Sequence, residues 1–139
     1  MSIAITITPA LCANESRVIA LWHAAGLTRP WNDPAADFRL ALAGPCSTVL
    51  LACAGADLAG SVMVGFDGHR GWVYYLATDP ARRGRGVGLT IMTAAEDWLR
   101  ARDCPKIQLM VRGDNLAAMG FYAAIGYEVQ DVVTLGKRL

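Results

Sequence analysis

The chain lacks most of the devices by which small proteins announce a metal, a membrane or a polyanion. Its four cysteines, Cys12, Cys46, Cys53 and Cys104, include no C-x-x-C pair. With only His23 and His69 beside them, no zinc constellation of usual spacing can be assembled, so no metal is expected and the thiols read as small apolar fillers. No uncharged apolar run reaches the ~18 residues that span a bilayer, and the opening "MSIAITITP" has no cationic leader. A soluble, cytoplasmic protein with reduced thiols is the expectation. Thirteen Lys and Arg against twelve Asp and Glu leave a formal net charge of +1, too little field to gather nucleic acid. Repeats, linkers and low-complexity tracts are missing too, so the 139 residues predict one domain spanning 1–139.

What is present is alternation between two periods. Ile3, Ile5 and Ile7 alternate as in a half-buried strand that Thr8 and Pro9 stop. From Leu11 to Ala25, Leu11, Val18, Leu21 and Trp22 recur at helical spacing up to Gly26. Asp33 before Pro34 has the chemistry of a cap and first helical residue, which predicts a second helix over 34–43. "STVLLACA" and "LAGSVMVGF" flank a tight turn, and "WVYYLAT" follows "DGHRG", giving an antiparallel meander. The longest helical stripe comes next, through Val87, Ile91, Ala95, Trp98 and Leu99, with Trp22 and Trp98 expected in packing. "KIQLMVR" then predicts a strand parallel to the preceding one. Asn115 can cap a last helix, "LAAMGFYAAI", closed by Gly126, and "YEVQDVVTL" predicts a final strand. The expected fold class is α/β with a mixed sheet (α+β), an antiparallel N-terminal meander joined to a parallel β-α-β crossover.

Between a strand and the longest helix lies "RRGRGVGL", Arg82 to Leu89. Glycine lets the backbone come close to a ligand and adopt the dihedrals of an N–H nest, and a helix N-terminus favours negative charge. Arg82, Arg83 and Arg85 add cations at the same mouth, so the segment predicts a phosphate or diphosphate site. A dinucleotide fingerprint fails because Leu89 stands where G-x-G-x-x-G needs its third glycine. A Walker loop fails on both spacing and the missing lysine.

The pattern that does fit is R-x-x-G-x-G, at Arg83, Gly86 and Gly88, and with it the chain resembles the GNAT superfamily of acetyltransferases. Asn115, Ala118, Phe121, Tyr122, Gly126 and Tyr127 resemble that family's second motif, in its expected order. "RPWNDP", "GFDGHRG", "CPKIQ" and "LGKRL" are similar to its YpeA-type bacterial branch, close to enzymes that acetylate protein N-termini.

This resemblance implies the GNAT acyl-CoA N-acyltransferase fold and direct transfer of acetyl from acetyl-CoA to a primary amine, on a small molecule, a protein N-terminus or a lysine. It implies CoA contacts from Arg83, Gly84, Arg85, Gly86, Val87 and Gly88, and from Asn115, which can equally be a plain cap. Backbone N–H groups around Leu76, Ala77 and Thr78 would polarise the thioester carbonyl, and Tyr122 would be the general acid. No carboxylate opens the strand "WVYYLAT", so the base falls to Asp67 or His69 in the turn before it, or to a water aligned by Tyr74 or Tyr75 on opposite faces of the strand. Trp31, Asn32 and Asp33, with Tyr74, are the candidate acceptor contacts. A monomer or homodimer without nucleic-acid or membrane partners is expected. The rival is a non-catalytic acyl-CoA sensor that kept the loop and lost the base.

Overall fold

The computed structural model describes residues 4–139, so Ile3 of the expected first strand lies outside the described residues. In chain order the elements are β1 Ile5–Pro9, a 3-10 turn Cys12–Asn14, α1 Glu15–Ala24, α2 Pro34–Ala43, β2 Ser47–Ala54, β3 Asp57–Phe66 and β4 Gly71–Thr78. A 3-10 turn Pro80–Arg82, α3 Val87–Arg100, β5 Ile107–Gln108 and α4 Leu116–Ala124 follow. The chain divides into two compact units, one ending at Leu109 and holding the sheet with α1–α3, the other running Met110–Leu139 and holding α4.

The sheet runs β1-β2-β3-β4-β5 in sequence order, antiparallel up to β4 and parallel between β4 and β5. β1 continues through Pro9, opposite Leu50, where the sequence predicted a stop. As an edge strand it tolerates the donor that proline lacks.

Strand alternation sends two sets of side chains to opposite faces. Val49, Leu51 and Ala77 meet Val18, Leu21 and Trp22 of α1 and Phe38 and Ala41 of α2 in one buried cluster. On the other face α3 lies so close that a Cβ at Gly60 would strike Val87 and Ile91, and one at Gly71 would strike Leu99. Val87, Ile91, Met92, Ala95 and Leu99 are the buried residues of α3. At ~1.5–3 kcal/mol for each large apolar side chain, that stripe dominates the helix's attachment. Trp98, expected in this packing, is only half-buried, and the Arg102 guanidinium lies 3.6 Å over its ring. Met92 takes the core place instead.

Two strand expectations are corrected. Of "KIQLMVR", only Ile107 and Gln108 pair, opposite Gly71 and Trp72. Further along β4, Tyr75 and Leu76 together oppose Val62 alone, since Met63 pairs with Tyr74 and Ser61 with Ala77. Such a bulge bends and overtwists its strand, and the pairing with β5 ends at Trp72, with Val73 and Tyr74 still between it and the bulge. "YEVQDVVTL" forms no strand among the described residues, and Val129, Val132, Val133 and Leu135 are exposed. β-propensity without a paired neighbour does not make a strand.

Candidate active site

The anion loop begins where β4 ends. The Asp79 carboxylate accepts from the N–H of Ala81 at 3.0 Å and shapes the turn, and the Asp79 N–H donates to the Ala59 carbonyl at 2.8 Å. Arg82 belongs to this scaffold, with a guanidinium nitrogen 3.2 Å from Asp57 and another 3.9 Å from Asp79. Arg83 and Arg85 are exposed. Gly84 and Gly86 have φ of +78° and +79°, and a Cβ on either would point into open space. Gly86 is the N-cap of α3 and no side chain caps the helix. The N–H groups of the first helical turn therefore have no intrahelical acceptor and face a partner from outside. Buried Val87 anchors this turn to the core, and Gly88 follows within it. Positive dipole end, bare main chain and two arginines fit a diphosphate such as that of coenzyme A.

The bulge sits on the same strand. Ala77 and Thr78 are in register with Ser61 and Gly60, so of the three positions expected to supply donors, Leu76 is the one with backbone outside the regular ladder. Tyr75 has φ of +53°. The expectation that Tyr74 and Tyr75 face opposite ways is wrong, because alternation fails at a bulge. Tyr74 pairs with Met63, and Met63 and Tyr75 both pack against the cluster of α1 and α2.

Asp67 organises the turn before β4. Its Oδ1 accepts from the N–H groups of His69 at 2.8 Å and Arg70 at 2.7 Å, and Oδ2 accepts from Trp72 Nε1 at 3.3 Å. These backbone donors first, with the Trp72 indole helping, hold its carboxyl below the usual carboxylate range. His69 is exposed. Burial, then the Asp67 charge, push the Tyr74 phenol up.

On the α1–α2 connection, Trp31, Asn32 and Asp33 are exposed. Asp33 caps α2 by accepting from the Ala36 N–H at 3.1 Å, and the Asn32 N–H donates to the Arg29 carbonyl at 3.1 Å. Asp37, one turn on, accepts from the Tyr75 hydroxyl at 2.6 Å. No sequence signal marked Asp37, because the pair is 38 residues apart and depends on the bulge.

In the C-terminal unit, Asn115 caps α4 by accepting from the Ala118 N–H at 3.1 Å. The helix closes on Gly126 at φ +99°, with the Tyr127 N–H donating to the Tyr122 carbonyl at 2.9 Å. The Tyr122 ring packs edge-on to Phe121 and Tyr127, at centroid distances of 5.1 and 5.7 Å. Burial pushes its phenol up to about 12.

The model of the acetyltransferase (GNAT) family matches residues 17–127. An acetyltransferase of Pectobacterium atrosepticum is 48% identical over 122 residues, covering 88% of this chain and 86% of the relative. One of Sodalis glossinidius is 48% identical over 123 residues, with 88% and 87% covered. Among solved structures, the aminoglycoside N-acetyltransferase AAC(6')-Iy in complex with CoA superposes with a TM-score of 0.84 at 16% identity, over 99% of this chain and 97% of the other. A predicted acetyltransferase with acetyl-CoA from Clostridium acetobutylicum gives 0.79 at 15% identity, with 96% of each covered. A mixed sheet with an uncapped, glycine-rich helix start beside a bulged strand is the frame of an acyl-CoA transferase. The chain belongs to the GNAT family and is an acetyl-CoA-dependent N-acetyltransferase.

No helix among the described residues is long and apolar enough to cross a membrane.

Proposed function

We propose that the chain moves acetyl from acetyl-CoA directly to a primary amine, of a small molecule, a protein N-terminus or a lysine, in a ternary complex. The observation that carries this reading is the uncapped start of α3 with Gly84 and Gly86 in the left-handed region. Arg83, Arg85 and the N–H groups of the loop through Gly88 hold the diphosphate, and Asn115 binds the pantetheine arm as well as capping α4. When bound, acetyl-CoA supplies a thioester whose C–S bond breaks as the amide C–N bond forms. The Leu76 N–H donates to the carbonyl oxygen where negative charge develops, an effect worth about 3 kcal/mol per donor in comparable sites.

The acceptor arrives as an ammonium and must lose a proton before nitrogen attacks. Asp33 attracts that cation at the α1–α2 connection, Trp31 and Asn32 line its approach, and Tyr74 stands on the adjacent strand. Asp67 is a poor candidate for taking the proton, since its donors stabilise the carboxylate and weaken it as a base. We assign proton removal to His69 or to a water aligned by Tyr74.

Tyr122 is the proposed acid for the departing thiolate. A phenol raised to about 12 carries its proton at every working pH but is a weaker acid for it, so the transfer must accompany the build-up of charge on the departing sulfur. Tyr122→Phe keeps the ring packing, so we expect kcat to fall ~10²-fold or more, with acetyl-CoA affinity and melting temperature near wild type. Calorimetry measures the affinity, and thiol release measures turnover with neamine or a free-N-terminus tripeptide as acceptor. Undiminished turnover removes Tyr122 from the role, and no uptake of acetyl-CoA by folded protein removes the whole reading.

A further inference from the structure

Among the described residues, two non-glycine residues have positive φ, Tyr75 and Asp103. Asp103 sits in the turn after α3, where a short polar side chain tolerates the left-handed region. Tyr75 sits inside a strand, where an aromatic residue is a true outlier and persists only if its surroundings over-determine it.

Those surroundings are two. The Tyr75 ring lies flat on Trp22, with centroids 3.9 Å apart and planes within 7°. Trp22 is itself fixed, fully buried, with Nε1 donating to Ser61 Oγ at 3.0 Å and its ring edge-on to Phe38 at 6.3 Å. The Tyr75 hydroxyl then donates to Asp37 Oδ2 at 2.6 Å, in the first turn of α2. Burial and this carboxylate keep the proton on the phenol well above its ordinary range. One side chain thus ties a strained point of β4 to both α1 and α2, and the point it ties is where Tyr75 and Leu76 oppose Val62 alone.

We propose that Tyr75, clamped between Trp22 and Asp37, is a positioning residue that holds the β4 bulge open, and with it the Leu76 N–H in place to donate. It touches no reacting atom. Released from Asp37, the residue has a lower-energy extended conformation available, and because the extra residue stays in the strand, the change is taken up by rotation of the Tyr75–Leu76 peptide that carries the Leu76 N–H. The clamp also fastens the donor strand to α2, the helix that Asp33 caps, so the acceptor side and the carbonyl side move as one body. This rests on the acyl-transfer reading above, and its test separates the two.

The variants are Tyr75→Phe, which keeps the stacked ring, Asp37→Ala, and Asp37→Asn, whose carboxamide oxygen still accepts. In the protein without coenzyme, NMR Cα and Cβ shifts of residue 75 and the amide shift of Leu76 report the backbone directly. We expect Tyr75→Phe and Asp37→Ala to move these toward extended values and to lower kcat for neamine or tripeptide acetylation by about tenfold or more. Their acetyl-CoA dissociation constants should stay within about twofold, since the diphosphate loop is untouched, and Asp37→Asn should restore both shifts and turnover. Unchanged backbone shifts in Tyr75→Phe, or unchanged kcat, overturn the clamp. Should Asp37→Ala fail to fold, Tyr75→Phe carries the same readouts. If folded wild type takes up no acetyl-CoA, the transfer reading falls while the NMR shifts, read without coenzyme, still decide the clamp.

Discussion

Asp67 shows how one residue can serve two readings until its partners are known. In the sequence it stands near the start of β4, where a base is wanted, and also before Gly68, where a turn is wanted. Two short bonds from backbone N–H groups decide for the turn. Asp67→Asn keeps an oxygen acceptor for them, so kcat for amine acetylation should stay within about threefold, against the 10²–10⁴ that loss of a general base costs. Its effect should show in acid instead. A carboxyl held below its unfolded value adds stability that is complete above about pH 4 and is lost as pH falls through the folded value. Melting curves of Asp67→Asn should therefore be less acid-sensitive than wild type in that window. A thousandfold drop in kcat would return Asp67 to the base role. Tyr122 behaves oppositely, because a phenol raised from about 10 to about 12 contributes stability below pH 10 that drains away as pH rises toward 12.

Among the elements, what was legible in the sequence is what local chemistry decides. α2 begins and ends where Asp33-Pro34 and the apolar spacing place it, because a cap and a first-turn proline act within four residues. The loop at α3 was legible for the same reason, since glycines and a helix start are neighbours in sequence. The existence of β5 and its parallel sense were legible, but its short extent and the absence of the last strand were not, because a strand runs only as far as a partner that the sequence does not name. The bulge escaped as well, as two adjacent tyrosines carry no sign of φ. Two glycines, Gly86 at the N-cap of α3 and Gly71 in β4 beneath Leu99 of the same helix, give a matched test. Gly86→Ala meets no atom within 4 Å but must hold φ near +79°, which costs about 1–2 kcal/mol and distorts the diphosphate cradle. Gly71→Ala has an ordinary φ but presses its Cβ into Leu99, which costs about 1–3 kcal/mol. Both should melt lower by comparable amounts, while calorimetry shows acetyl-CoA binding weakened only by Gly86→Ala. Equal weakening by both would mean that the whole helix, and not its bare N-terminus, sets affinity.

For the molecule as a whole, near-neutral charge makes binding of a polyanionic coenzyme a local matter. With a net charge of +1 there is little overall field to draw acetyl-CoA in, so its grip must come from the α3 mouth. Arg82 contributes through the scaffold, as its side chain is committed to Asp57 and Asp79, which leaves Arg83 and Arg85 as the exposed cations there. A ligand that binds only the folded state stabilises it by RT ln(1 + [L]/Kd), or about 2.7 kcal/mol at a hundred times Kd. For a chain of this length that is a rise in melting temperature of roughly 5–10 °C. Arg83→Gln with Arg85→Gln should melt like wild type without ligand, show a smaller rise with the same acetyl-CoA, and lose most of the salt dependence of that rise. A rise that keeps its full size and salt dependence in the double variant would put the diphosphate somewhere other than the glycine loop.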